Sequence, residues 1–263
     1  KQLGIRIVPM PFMINGEEYL EDITLTQQEF YAKLGEGSDI STSQPSPESI
    51  MALWDEVLEE YDEIVHIPMS SGLSGSCQTA MMLAEDYDGK VEVVNNQRIS
   101  VTQRQSALDA KELAAKGMCA AEIKEKLEAV KFDSSIYITL DTLKYLKKGG
   151  RISAATAFLG SAMAIKPVVA VSEGEIVMLG KARGSKNGNN FLMKEIEKAD
   201  GIDFTRPFCL GYTGLSDEML QKYIKDSEAL WSGHTDHLPV CTLGATIGTH
   251  VGPGAIAVAF FSP

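Results

Sequence analysis

The stretch that most restricts this chain is "EIVHIPMSSGLSGSCQTA", residues 63–80. An apolar run gives way to serines and glycines, and a helical pattern follows. Such a run reads as a buried strand, and the small residues as a tight connection. A strand that ends in a hydroxyl-rich loop and opens a helix aims hydroxyls and free backbone N–H groups at one place, which suits an anion. A turn with capping serines would use the same residues. "SSGLSGS" lacks the lysine and spacing of a phosphate loop, and Ser74 does not sit in a GxSxG elbow.

The neighbouring segments repeat the alternation. "SPESIMALWDEVLEEY" (46–61) is a helix that Ser46 can cap, with Pro47 in the first turn and an apolar face of Ile50, Leu53, Trp54, Val57, Leu58 and Tyr61. After "SSGLSG" the pattern gives a helix from Ser76 to Tyr87 and a strand at 90–96. Helices follow at 102–117 and 120–130, then a strand at 134–140. Strands alternating with helices of this length imply parallel βαβ units, whose ligands bind beyond the carboxyl ends of the strands.

Past "KKGGRIS" (147–153) the texture changes. "IKPVVAVSEGEIVMLGKARG" reads as a hairpin turning at "SEGE". A helix capped by Ser216 and a last strand, "AIAVAFF" (255–261), follow. The expectation is a mixed α/β protein of two domains. An N-terminal parallel-sheet α/β domain covers 1–148, and a C-terminal α+β domain covers 149–263, with the boundary at Gly149 and Gly150.

With 263 residues, 44% of them hydrophobic, the chain has ample material for such cores. The net charge of −12 argues against a nucleic-acid surface, which needs a basic stripe. No apolar run reaches the roughly 18 residues of a membrane helix, and the N-terminus lacks a signal-peptide core, so no stable membrane insertion is expected. Four scattered cysteines with no CxxC pair fit a reducing, cytoplasmic setting, and no His–carboxylate cluster suggests a metal.

Three further groups can carry chemistry. "STSQPSP" (41–47) supplies Thr42 and Ser43 before a helix. "LKYLKKGGRIS" places Lys147, Lys148 and Arg151 around a double glycine. "GTHVGPG" (248–254) holds His250 in a glycine-framed loop before an apolar strand. His66, inside a strand, reads as a core histidine; His234 and His237 read as surface-loop residues.

In their order and spacing, "TSQPSP", "SSGLSGSCQTA", "LKYLKKGGRIS", "IKP", "KARGSK" and "GTHVGPGAIAVAF" resemble the DegV family of bacterial fatty-acid-binding proteins, from about residue 3 to 263. Two departures stand out. The family's opening strand and its "DS[ST]"-like loop are absent, so further residues are expected upstream. "VVNNQRIS" also stands where many members carry an Asp-Ser pair.

The resemblance implies one long-chain fatty acid in a tunnel closed by the second domain, with no cofactor. It implies a carboxylate held by Thr42, Ser43, Ser70, Ser71, Gly72, Arg151 and His250. It further implies a carrier that is not itself an enzyme and that presents the carboxylate to a fatty acid kinase for acyl-phosphate formation in phospholipid synthesis. The residues are compatible with this, because a buried carboxylate needs several donors. They leave Ser70 and Ser71 equally eligible. Two alternatives use the same residues: a serine-dependent hydrolase or acyltransferase with His250 as base, and a phosphosugar-binding regulator with a polar pocket.

Overall fold

The computed structural model describes residues 3–152, 165–199, 201–214, 216–236 and 238–263. The chain opens with β1 (Pro11–Ile14) and β2 (Glu17–Leu20), turned by Asn15 and Gly16, both at positive φ. Next come α1 (Gln27–Gly35), β3 (Ile40–Thr42), α2 (Pro47–Leu58), β4 (Ile64–His66), α3 (Ser76–Ala84), β5 (Val91–Val93), α4 (Ser100–Ala115) and α5 (Ala120–Ala129). The remainder comprises β6 (Ser134–Thr139), α6 (Lys144–Lys148), β7 (Ile165–Ser172), β8 (Glu175–Arg183), α7 (Ser185–Glu197), β9 (Cys209–Tyr212), α8 (Asp217–Asp226), α9 (Glu228–Trp231), β10 (Val240–Thr242), α10 (Ala245–Val251) and β11 (Ile256–Phe261).

Local chemistry sets several of the starts. Thr26 and Glu29 form a reciprocal capping box on α1. Ser46 accepts from Ser49 N at 3.2 Å, and Pro47 occupies the first helical position of α2, where its missing N–H costs nothing. Ser216 likewise caps α8. The β7–β8 hairpin turns at Glu173 and Gly174, both at positive φ, as a two-residue connection requires.

The chain forms two compact units. The first comprises Lys1–Pro11 and Ser43–Phe132; the second, Phe12–Thr42 and Asp133–Pro263. In the first, β4 and β5 pair in parallel. One core gathers Ile50, Trp54, Cys77, Ala80, Val91 and Val93; another gathers Val94, Ala110, Ile123 and Leu127. In the second, a six-stranded sheet runs in the order β10-β9-β11-β6-β7-β8, with β9 and β10 its parallel pair. Ile256, Val258 and Phe260 of β11 meet Leu192 and Ile196 of α7 and Tyr223 of α8 in its core. A three-stranded sheet, β2-β1-β3, packs with α1 through Phe12, Ile14, Phe30, Leu34, Ile40 and Ala245.

The sequence-expected boundary at Gly149 falls inside the second unit. Strand β6 is antiparallel to both β7 and β11, so residues from Asp133 onward pack with the later chain and not with the β4–β5 pair. The segment 12–42 belongs there too, through the packing of Phe30 and Ile40 around Ala245.

His66 is half-buried and packs against the core residue Trp54. Trp54 Nε1 donates to its Nδ1 at 3.3 Å, and the two rings meet edge to face. Burial lowers its pKa to about 4. Protonation would also place a second N–H against the indole donor. In an unfolded chain the group titrates near 6.5. Stability from this site is therefore complete above about pH 6.5 and declines as pH falls toward 4, where the unfolded chain takes up a proton that the folded one refuses. We expect His66 to change the folded-to-unfolded ratio by up to about tenfold per pH unit in that window. Urea denaturation from pH 4 to 7 checks this: His66→Asn, whose Oδ1 can replace Nδ1 as acceptor, flattens the slope even if it lowers the maximum.

Candidate functional site

In the second unit, β3 ends at Thr42 and α10 carries His250 on its last turn. The imidazole Nε2 lies 2.8 Å from Thr42 Oγ1. The ring is largely buried, and its pKa is lowered to about 4, first by burial and second by the positive charge of Arg151. It is therefore neutral near pH 7. Nδ1 is buried with no hydrogen-bond partner among the described residues. Thr42 can donate or accept, so Nδ1 decides the tautomer. A proton there would be an orphaned buried donor, which proteins avoid more strictly than an orphaned acceptor. This favours the tautomer with the proton on Nε2, in which Nε2–H donates to Thr42 Oγ1.

The glycines of "GTHVGPG" imply a loop around His250; the structure places it on a helix. The glycines around it serve close approach, not looseness. A Cβ on Gly248 would come within 2.9 Å of the Phe30 ring and 2.8 Å of the Tyr31 hydroxyl; one on Gly252 would come within 2.2 Å of the Tyr145 ring. At the start of α10, Glu21 accepts from Ala245 N at 2.8 Å, and Tyr31 donates to the Leu243 carbonyl. Glu21, Tyr31 and Tyr145 were not singled out from the sequence. Their only signal is the density of glycines that something large has to cover.

Arg151 follows α6. Its N–H donates to Leu146 O at 3.0 Å, and the N–H of Gly150 donates to Lys147 O at 3.1 Å, which together close the helix with Gly150 left-handed at φ +70°. The guanidinium Nη1 donates to Gly149 O at 2.5 Å. Lys148 pairs with Asp39 and donates to Ile40 O at 3.0 Å, tying α6 to the start of β3. Thr42, Arg151 and His250 thus belong to one part of the second unit.

Ser43, Ser70, Ser71 and Gly72 lie in the first unit. The structure separates the two adjacent serines. Ser70 is buried; its N–H donates to Arg98 O, and its Oγ accepts from Gly72 N at 3.2 Å. Ser71 is exposed, and its Oγ accepts from Asn95 Nδ2 at 3.0 Å. Ser74 and Ser76 bond each other, and the residue before α3 is Gly75, which offers no side-chain cap. Ser43 is exposed and donates to Gln44 O.

Behind the loop, Asn96 Nδ2 and Arg98 Nη1 both donate to Ser106 Oγ, at 2.5 and 3.0 Å. Asn95 and Asn96 stand in the "VVNNQRIS" stretch that departs from the expected pattern, and the sequence reading gave them no role. His234 is exposed and stacks on Phe204; His237 and Ser153 lie outside the described residues. Among the described residues, no group of three or more His, Cys, Asp or Glu side chains could hold a metal, and no helix is long and apolar enough to cross a membrane.

Over residues 1–263 the sequence matches the family described as uncharacterised protein, DegV family. The chain belongs to the DegV family. It is similar to a DegV family protein from Thermus thermophilus whose solved structure concerns fatty acid binding. The two are 33% identical, with a TM-score of 0.86, covering 100% of this chain and 93% of that one. DegV from Bacillus subtilis, a fatty acid binding protein, is 28% identical with a TM-score of 0.82, covering 100% and 93%. A DegV domain-containing protein of Deinococcus radiodurans is 29% identical over 98% of this chain and 91% of its own length. The mixed α/β fold is shared with these solved relatives.

In the ligand-free protein we expect the His250 ring to stay neutral at about pH 6 and to carry its proton on Nε2. Nitrogen-15 NMR of the imidazole checks both: Nδ1 should resonate as an imine nitrogen and Nε2 as a protonated one. The reverse pattern would mean that Thr42 donates to the ring.

Proposed function

We propose that this chain binds one long-chain fatty acid and presents its carboxylate to a separate kinase. The observation that carries this reading is the Thr42–His250 pair, in a chain 33% identical to a DegV protein described by its fatty acid binding. With Nε2–H donating to Thr42 Oγ1, the hydroxyl proton of Thr42 is left to donate onward. A carboxylate oxygen is an acceptor that fits it. Arg151, whose positive charge is felt by the neighbouring imidazole, adds electrostatic support for an anion. Ser71, exposed and held from behind by Asn95, is proposed as a further hydroxyl donor. The Ser71 N–H belongs to the same proposal, as does Ser43, whose hydroxyl would turn from Gln44 O to the ligand; the N–H groups of Ser70 and Gly72, bonded to Arg98 O and Ser70 Oγ, shape the turn.

The acyl chain supplies most of the affinity in this reading, since each buried methylene contributes about 0.8 kcal/mol. The same burial makes unassisted release slow, which suits a carrier that hands over its cargo without emptying. The partner kinase would transfer a phosphoryl group from ATP to a carboxylate oxygen, giving an acyl phosphate and ADP. The setting that goes with this chemistry is the bacterial cytoplasm and phospholipid synthesis.

The geometry weakens the hydrolase alternative. A serine triad needs a carboxylate on Nδ1 to orient the base and stabilise its charged form. Here Nδ1 has no partner among the described residues, and Nε2 faces a threonine. Burial also disfavours the imidazolium that a general base must become.

Delipidated protein is expected to take up a long-chain fatty acid such as palmitate at one site per chain. Thr42→Ala and Ser71→Ala should each weaken uptake by about 10- to 100-fold, the worth of one hydrogen bond to a charged group. Isothermal titration of palmitate measures this. Absence of uptake by the unaltered protein, or ester hydrolysis that Ser71→Ala abolishes, would overturn the reading.

A further inference from the structure

We propose that Gly149 is a positioning residue for His250: by carrying no side chain it leaves the space that the imidazole fills, and so holds Nε2 on Thr42. The "KKGG" glycines look alike in sequence but differ in what they do. Gly150 has φ +70° and nothing among the described residues within 4 Å of where a Cβ would stand, so it serves the left-handed turn that closes α6. Gly149 has φ −76° and ψ −6°, a right-handed conformation open to any residue. Backbone conformation gives no reason for a glycine there.

The reason is the ring. A Cβ on Gly149 would lie 2.1 Å from His250 Nδ1, 2.6 Å from Cε1 and 3.4 Å from Cγ. Contacts under about 3 Å do not survive between real atoms, so either the backbone or the ring must move. Both backbones are tied down. The N–H groups of Gly149, Gly150 and Arg151 donate to Tyr145 O, Lys147 O and Leu146 O. The helix carrying His250 is held by Glu21 on Ala245 N and covered at Gly248 and Gly252 by Phe30, Tyr31 and Tyr145. The ring is the part that gives, and turning it breaks the 2.8 Å contact to Thr42. The contact also explains the orphaned Nδ1: the Gly149 amide already donates to Tyr145 O at 2.9 Å, and its carbonyl already accepts from Arg151. Gly149 thereby favours the tautomer that leaves Thr42 free to donate.

The consequence for the ring is independent of any ligand; the consequence for binding rests on the fatty-acid reading above. The test is Gly149→Ala, read by imidazole NMR and by palmitate titration, with Gly150→Ala as control. Gly149→Ala should shift the His250 titration midpoint from about 4 toward the ordinary value near 6.5 and abolish the Nε2–H signature. It should weaken palmitate binding by about 10- to 100-fold, the range for losing one hydrogen bond to a charged group. Gly150→Ala should lower the melting temperature while leaving the His250 signals in place.

Should Gly149→Ala fail to fold, the double variant Gly149→Ala/His250→Ala decides. With the ring removed it should fold as well as His250→Ala alone and bind palmitate equally well. A wild-type His250 titration in Gly149→Ala, or a double variant less stable than His250→Ala, overturns the proposal. A displaced ring with unchanged palmitate affinity leaves the positioning role standing and removes His250 from the carboxylate reading.

Discussion

The second unit depends on close approach between rings and backbone around α10. At Gly248 and Gly252 a side chain as small as a methyl would collide with Phe30, Tyr31 or Tyr145. At Gly149 the same holds in reverse, with the helix's own His250 pressed into the gap. Packed interiors are close to crystal density and have few soft directions, so contacts of this kind define position more sharply than hydrogen bonds between flexible side chains do. The result is an imidazole fixed before anything binds, and with it the Thr42 hydroxyl it touches. In the proposed reading a carboxylate would not have to order that hydroxyl, which favours affinity.

Charge shapes the site differently from the surface. The chain carries a net charge of −12, which disfavours the approach of an anion from a distance. Screening confines that effect to about 8 Å at physiological salt, so local groups decide what binds. The local groups here are a guanidinium and a neutral histidine. Burial, and after it the charge of Arg151, keep His250 uncharged. A buried imidazolium would attract a carboxylate more strongly, but it would also have to be desolvated whenever the site stood empty. A neutral donor behind a hydroxyl avoids that cost.

How much of this was legible in the sequence follows from range. Helix α2 reads directly from "SPESIMALWDEVL", because capping and helical spacing are local signals. So do the β7–β8 hairpin at "SEGE" and the last strand. Strand β6 was legible as a strand but not in its partners: its flanks imitate a βαβ unit, while the strands it pairs with, β7 and β11, lie later in the chain. The assignment of residues 12–42 to the second unit has the same cause, although Asn15-Gly16 is a hairpin signal that the sequence does carry. Thr42, Ser71, Arg151 and His250 stand in motifs that the sequence displays. The residues they touch do not, because Asn95 and Gly149 look ordinary until the chain is folded. Cys209 and Cys241 make the point again: far apart in sequence, their Sγ atoms meet at 3.6 Å across β9 and β10.

Two hydroxyls, one in each unit, share a single arrangement. Thr42 Oγ1 has the Nε2 of His250 behind it, and Ser71 Oγ has the Nδ2 of Asn95. A hydroxyl can donate once and accept twice, and its proton rotates to suit its surroundings. A nitrogen donor placed behind it uses an acceptor lone pair and turns the proton away. The hydroxyl then presents a donor, and its preference shifts toward groups that only accept. An ionised carboxylate is such a group; an alcohol or an amine is not. Polarisation along the N–H···O–H chain strengthens the outward bond further. Ser70 Oγ also accepts from a nitrogen, the N–H of Gly72 two residues on in the same turn. Adjacent and chemically identical, Ser70 and Ser71 differ in exposure: Ser70 is buried within the turn, and Ser71 stands at the surface.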